Sequence, residues 1–261
     1  MPEPTDLLPV AEPPFRWSQA AWGAVLLCEA LSPHADHFFS TRGIDVRGPE
    51  AGPGWDDVAA ALGVDVARVW RVHQVHGIDV TVADSSPEGH DAWPEGDLLV
   101  TERDDAALAI RTADCVPILL VDPVRRVVAA VHAGWRGTAL GAAWHMVSLL
   151  RERYDVEPAS LVAAIGPSIG PDRYEVGPEV PAHFARRFDS DSVGRWTRPG
   201  RDDRYLLDLW RANVDQLAWA GVPAGAVHVA RLCTATYPEV FHSYRVDGPR
   251  AGRMVAGIRL R

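Results

Sequence analysis

The stretch Leu108-Ala-Ile-Arg-Thr-Ala-Asp-Cys-Val-Pro-Ile-Leu-Leu-Val-Asp-Pro-Val-Arg-Arg-Val-Val-Ala-Ala-Val-His132 decides how the fold is read. Within it, Leu108–Arg111, Val116–Val121 and Val127–His132 are nearly all apolar and rich in β-branched residues. A strand with one wet face alternates apolar and polar side chains, whereas a continuous apolar run means that both faces are covered. Upstream, Val69–Val72, Asp79–Ala83 and Leu98–Thr101 read as further strands. Downstream, three helices are expected. Thr138–Tyr154 spaces Leu140, Trp144, Val147 and Leu149 or Leu150 as one apolar stripe. Pro178–Phe188 opens on proline and glutamate, a favourable first turn. Leu209–Ala220 stops at Gly221, which suits a left-handed cap. Strands at Ala226–Ala230 and Arg253–Leu260 follow. The fold class is therefore α/β in the α+β sense: mixed β-sheets sandwiched and flanked by helices, in a single domain. Val46–Trp55, Ser85–Gly96 and Asp189–Arg204 read as loops, and residues 1–20 as a flexible N-terminal segment.

The 261 residues suffice for a full core. With 47% hydrophobic and 23% charged residues, the composition is that of a globular protein. A formal net charge of -9 gives no overall attraction to nucleic acid or anionic membranes, so neither is expected as a partner. All 26 basic residues are arginine. That excludes a Schiff-base lysine, and with it pyridoxal-phosphate chemistry, and it excludes a Walker A lysine. Cys28, Cys115 and Cys233 lie far apart with no C-x-x-C, which fits a reducing compartment. The N-terminal residues show no basic segment followed by an apolar run, and no apolar stretch of about 18 residues occurs, so a cytoplasmic location is expected.

Three segments concentrate the chemistry. In His73-Gln-Val-His76-Gly77, residues three apart in extended chain point to opposite faces, so at most one histidine faces a common site. His76 stands beside Gly77, where backbone bends and a ligand approaches closely. In Thr112-Ala-Asp-Cys-Val-Pro117, adjacent Asp114 and Cys115 are costly to bury unless paired or ligated. A cysteine packed as a small core residue beside a turn aspartate is an equally good reading. In His132-Ala-Gly-Trp-Arg-Gly137, a buried strand ends in histidine, a glycine-bracketed Trp-Arg follows, and a helix begins. That order presents backbone N–H groups to an anion, and Arg136 adds a bidentate donor. The alternative is a tight turn that packs Trp135 and leaves Arg136 solvated. His76, Cys115 and His132 all fall at strand ends. Two imidazoles and one thiolate form a three-ligand Zn²⁺ set with an open fourth position, the catalytic arrangement, although spacings of 39 and 17 residues match no compact zinc-finger pattern.

At these residues the sequence resembles the YfiH/YlmD-type family, formerly labelled polyphenol oxidase or laccase-domain proteins and described as purine nucleoside phosphorylases with adenosine deaminase activity. The resemblance is carried by His37-Phe-Phe-Ser-Thr-Arg42, Gln74-Val-His-Gly77, Asp97-Leu-Leu-Val-Thr101, Thr112-Ala-Asp-Cys-Val-Pro-Ile-Leu119 and His132-Ala-Gly-Trp-Arg-Gly137. It continues through Ile165-Gly-Pro-Ser-Ile-Gly-Pro171, Tyr174-Glu-Val176, Cys233-Thr234, Phe241-His-Ser-Tyr-Arg245 and Gly252-Arg-Met254. These run in family order over most of the chain and make residues 21–261 a single YfiH-like catalytic domain. The sequence departs from the family after Arg42, where Gly43 leads directly into Ile44-Asp-Val-Arg47 and a longer loop is rebuilt. His242, Val246 and Ser168 also stand where other residues are common.

The resemblance implies Zn²⁺ on His76, Cys115 and His132, with Cu²⁺ a second candidate metal. It implies adenosine, inosine, guanosine and 5′-methylthioadenosine as substrates and phosphate as cosubstrate; a monomer or homodimer is expected, although no feature of the sequence fixes the oligomeric state. Asp114 and Glu175 are the candidate proton-shuttling carboxyls, and Asp114 serves equally as an orienter of a histidine. Arg42 and Arg136 are the candidate phosphate donors, with Arg245 and Arg253 ranked below them. Tyr174 or Trp135 is the candidate stacking partner for the purine. Three rivals stand beside this reading, one of them a pure binding role without catalysis, against which stands the open coordination position. A multicopper laccase needs many histidines, and the chain has no His-x-His. A metal-free hydrolase or deamidase would use Cys115 and His132 as nucleophile and base.

Overall fold

The computed structural model of the chain describes residues 8–47, 53–84 and 93–261. Along them run β1 (Phe15–Ala20), β2 (Gly23–Cys28), β3 (Ala35–Ser40), α1 (Pro53–Leu62), β4 (Val69–Trp70), β5 (Val80–Val82), β6 (Leu98–Thr101) and β7 (Ala107–Thr112). Then come β8 (Val116–Asp122), β9 (Val127–Ala133), α2 (Trp135–Leu140), α3 (Ala142–Tyr154), β10 (Val162–Ile165), β11 (Glu175–Val176) and α4 (Glu179–Phe184). The remainder is α5 (Ser190–Trp196), β12 (Thr197–Pro199), β13 (Tyr205–Leu207), α6 (Leu209–Trp219), β14 (Val227–Val229), α7 (Tyr244–Asp247) and β15 (Met254–Leu260). One sheet has the order β1-β2-β3-β15-β7-β4, a second β14-β10-β8-β9-β6-β5, and β11-β13-β12 form a small third. Both large sheets are mixed: β4–β7, β5–β6 and β10–β14 pair in parallel, while β7–β15, β8–β9 and β6–β9 pair antiparallel.

The apolar runs have two covered faces, as their composition requires. In β8, Leu119 and Val121 face the first sheet while Ile118 and Leu120 face the helices. In β9, Val128 and Ala130 take the first side and Ala129 and Val131 the second. Leu108 and Ile110 of β7 and Ala256 and Ile258 of β15 fill the space between the sheets. Trp55, Val58 and Leu62 of α1 cover the outer face of the first sheet against Phe38, Ala109 and Val255. The result is four layers: helix, sheet, sheet, helices. At roughly 25 cal/mol per Å² of apolar area, each such buried Leu, Ile or Val contributes about 1.5–3 kcal/mol.

Four expectations are corrected. Thr138–Tyr154 is not one helix: Gly141 takes φ 85°, which ends α2 and starts α3. The break resets the helical phase, so Leu140 (45%) and Trp144 (39%) are exposed, and Ala143, Met146, Val147 and Leu150 form the buried stripe. Asp189–Arg204 holds α5, capped by the Asp189 carboxylate accepting from the Ser192 N–H, and β12. Residues 15–20, placed in the flexible segment, are β1, paired throughout with β2. The loop at Val46–Trp55 gives way to α1 from Pro53. Residues 1–7, 48–52 and 85–92, including parts of the expected segment and loops, lie outside the described residues. Among the described residues no helix is long and apolar enough to cross a membrane.

Candidate metal centre

Sheet register brings the ligands together. The β8–β9 pairing sets Val116 opposite Ala133 and Pro117 opposite His132, so Cys115, just before β8, lies beside the end of β9. The β6–β9 pairing sets Leu98 opposite Val131, and the His132 N–H donates to the Asp97 carbonyl at 2.9 Å. The Asp97 side chain, fully buried, then gathers the third segment. Its carboxylate accepts from the backbone N–H groups of Val75 (3.2 Å), His76 (3.0 Å) and Gly77 (2.7 Å), and it meets His132 Nδ1 at 2.7 Å. The Gln74 side chain holds the same turn to β7, donating to the Arg111 carbonyl and accepting from its N–H, both at 2.8 Å.

The potential ligand atoms of His76, Cys115 and His132 lie within 4.8 Å of one another. The two imidazole rings stand edge to face, 5.1 Å between centroids. A Cβ at Gly134 would fall 2.9 Å from Cys115 Sγ and 3.0 Å from His76 Cδ2, so only glycine leaves these groups room. His76 and Asp114 have positive φ, 63° and 87°, strained conformations in non-glycine residues flanking the ligands. Burial opposes ionisation of the Cys115 thiol, but the adjacent His132 and His76 outweigh it and bring the thiol below its ordinary range. Burial likewise opposes charge on His132, and the Cys115 and Asp97 charges overcome it and raise the imidazole. Two borderline nitrogens and one soft sulfur, with Asp97 fixing the far nitrogen of one ring, form a donor set that fits zinc or copper. Among the described residues this is the one such cluster, too few ligands for a multicopper site.

The three ligands open into a cleft of about 840 Å³. Asp114, Trp135, Arg136, Tyr174 and Arg245 line it, as do Arg47, Gln74, Arg111, Tyr244 and Arg253. Arg136 lies over the Trp135 ring at 4.4 Å and Arg245 over the Tyr174 ring at 5.1 Å. Burial and the nearby Cys115 charge push the Tyr174 hydroxyl well above its ordinary value. The Asp114 carboxylate accepts from Thr234 Oγ1 at 2.5 Å and from the Arg245 N–H at 2.6 Å. It thus pins the start of α7 against the strand that precedes Cys115.

Two expected site residues are elsewhere. Arg42 donates to the Pro238 carbonyl and does not line the cleft. Glu175 accepts from the Arg201 N–H at 3.1 Å, beside a neighbouring cavity; only its carbonyl, which accepts from Arg245 Nη1, is tied to the cleft wall. Asp97, Gln74, Arg111 and Arg47 are given no site role by the sequence reading, although Asp97 and Gln74 stand in segments that carry the resemblance. For Asp97 and Arg111 a signal existed: each is a lone charge at or within an apolar strand, where burial without a partner is costly. Gln74 had its place two residues before His76 in Gln74-Val-His-Gly77 as a signal, and Arg47 had none.

A family model described as multi-copper polyphenol oxidoreductase laccase matches residues 54–261. The chain is 40% identical over 193 residues to purine nucleoside phosphorylase YlmD of Geobacillus stearothermophilus, covering 71% of this chain and 69% of that protein. It is 38% identical over 239 residues to a purine nucleoside phosphorylase of Deinococcus radiodurans, covering 86% and 88%. The crystal structure of the hypothetical protein YfiH of Bacillus licheniformis superposes with a TM-score of 0.83 at 30% identity, over 96% of this chain and 100% of that one.

Proposed function

Because this chain belongs to the laccase-domain family, whose members include the YlmD-type purine nucleoside phosphorylases, we propose that it is a zinc-dependent purine nucleoside phosphorylase acting on adenosine, inosine, guanosine and 5′-methylthioadenosine. One observation carries this reading: a three-ligand metal site and several arginines and aromatic rings share one cleft. Phosphorolysis breaks the N9–C1′ bond and forms a C1′–O bond, so the protein has to hold a phosphate against the sugar while the purine leaves. Arg136 and Arg245 are the phosphate donors in this reading, their guanidiniums set by the rings beneath them. Tyr174 offers the purine a stacking face, and its high pKa keeps the hydroxyl neutral beside the phosphate. Zinc on His76, Cys115 and His132 supplies Lewis-acid polarisation when bound. Deamination of adenosine with water to inosine and ammonia, the second activity of this reading, needs a carboxyl to carry protons. Asp114 takes that role, being the carboxyl that lines the cleft among the described residues, and Glu175 leaves the candidate set.

The test is to incubate metal-replete protein with adenosine, with and without phosphate, and to separate adenine, hypoxanthine, inosine and ribose 1-phosphate. Adenine and ribose 1-phosphate are expected only with phosphate, and inosine in either case; none of these products forming would overturn the reading. Arg136→Ala is expected to raise the phosphate KM about 10- to 100-fold, the equivalent of one charge-assisted contact of about 1.5–3 kcal/mol, with zinc content unchanged. One observation favours a second reading. Asp97, His132 and Cys115 form the orienter, base and nucleophile series of a thiol hydrolase. Chelation separates the two: it abolishes a zinc activity, and it spares a thiol activity that alkylation of Cys115 removes.

A further inference from the structure

Resting on the phosphorylase reading, we propose that Asn213 and Gln216 of α6 are positioning residues for phosphate: they set the rotation of α2 and, through it, aim the Arg136 guanidinium into the cleft. Neither residue lines the cleft. Both are fully buried, on a helix whose other buried residues, Leu209, Trp210, Ala212 and Leu217, belong to the apolar core. Burying an amide side chain is costly unless it finds hydrogen-bond partners, and an apolar pair would fill the same space at no greater cost. Here both amides are aimed at one residue.

That residue is Thr138 of α2, itself fully buried. Asn213 Nδ2 donates to Thr138 Oγ1 at 3.2 Å and to the Leu209 carbonyl of its own helix at 2.8 Å. Gln216 Nε2 donates to the Thr138 carbonyl at 2.8 Å. Thr138 lies in the last turn of α2, where carbonyls lose their helical partners, so Gln216 caps α2 from a neighbouring helix. Apolar packing has no direction and lets a helix turn, whereas two hydrogen bonds to one residue hold it at a fixed angle.

The rotation of α2 matters because of what it carries. Trp135 and Arg136 are its first two residues, and both line the cleft. At about 100° per residue, the Arg136 and Thr138 side chains leave the helix on nearly opposite sides. Arg136 is exposed and Thr138 buried, so fixing Thr138 against α6 fixes Arg136 toward the cleft. A Cβ at Gly137 would fall 3.1 Å from the Gly77 carbonyl and 3.6 Å from that of His132, so α2 is wedged between α6 and the segments that carry two metal ligands. Those ligands are held by Asp97 and by sheet register. One step earlier on the same ridge of α6, Trp210 Nε1 donates to Ser168 Oγ at 2.7 Å, in the segment that leads to Tyr174, the ring beneath Arg245. One helix thus reaches the supports of both phosphate donors.

The experiment is calorimetric titration with inorganic phosphate, at fixed salt, of the zinc-loaded wild type, Gln216→Met, Asn213→Leu and a control, Leu217→Ala, an apolar truncation on the same helix. Each amide variant is expected to weaken phosphate binding about threefold or more, part of the roughly tenfold or more that losing a whole charged contact costs. Zinc affinity, read by chelator competition, is expected to stay at the wild-type value. Leu217→Ala is expected to melt several degrees lower and to keep wild-type phosphate affinity. In the Arg136→Ala background the Gln216→Met effect is expected to vanish, because the group it aims is gone. In phosphorolysis the KM for phosphate rises with the dissociation constant, and the KM for adenosine does not. An unchanged phosphate affinity in either amide variant overturns the positioning role. So does an affinity that follows Tm across the set, Leu217→Ala included, or a Gln216→Met loss equally large without Arg136. Adenosine split at the wild-type phosphate KM in both amide variants sinks the positioning role alone. Phosphate binding that depends on Gln216 and Arg136 together, with no turnover of any nucleoside, sinks the phosphorylase reading alone.

Discussion

Asp97 shows how one side chain organises a site without lining it. Burial works against its ionisation, but the His132 ring and the N–H groups of Gly77 and His76 outweigh that and hold the carboxyl below its ordinary range. It therefore fixes two of the three ligands, one through its backbone and one through its ring. Replacing it with alanine leaves three N–H groups and a ring nitrogen with no acceptor. Asp97→Ala is expected to weaken zinc binding about 10- to 100-fold, measured by competition with a chromogenic chelator. An unchanged affinity would show that the turn and the imidazole hold their positions unaided.

At the scale of the element, two glycines at either end of α2 do different work. Gly134 has an ordinary φ of -69°, so its importance is the space beside Cys115 and His76. Gly134→Ala is expected to lower zinc affinity and barely change thermal stability. Gly141 has φ 85°, and a side chain there costs about 1–2 kcal/mol in backbone strain. A Cβ at Gly141 would also sit 2.9 Å from Arg187 Nε, the movable end of a side chain. Gly141→Ala is expected to lower Tm by a few degrees with zinc affinity unchanged. Calorimetry and chelator competition on both variants separate the two roles; identical profiles would refute them.

Across the whole molecule, the first and last parts of the chain meet in the first sheet, where Asp36 of β3 holds the end of β15. Its carboxylate accepts from Arg259 Nη2 of β15 and from Arg261 Nε, each at 2.6 Å. Burial raises the carboxyl, and the contacts to Arg261 and Arg259 more than reverse this, so its folded pKa lies below the ordinary 3.8. A depressed carboxyl contributes its stability above the unfolded value and loses it as pH falls through the folded one. The stability difference between the wild type and Asp36→Asn is therefore expected to be full at pH 5 and above, and to shrink below about pH 4. Urea unfolding across that range measures it; a difference that does not vary with pH would show that the pair contributes no charge interaction.

Patterns that arise from local chemistry were legible in the chain. The runs Val116–Val121 and Val127–His132 announced strands covered on both faces, because apolar side chains on both sides of a strand have to be buried. His76, Cys115 and His132 stood out as candidate ligands because their donor atoms and strand-end positions are properties of the residues themselves. Tertiary structure decided the rest. The register of β6, β8 and β9 brings Asp97 to His132, the short strand β11 and the turn after β3 carry Glu175 and Arg42 away from the cleft, and a loop brings in Arg47. Side-chain type is written locally, but whether two groups meet depends on strand register and loop path, and these are set by packing summed over residues far apart in the chain.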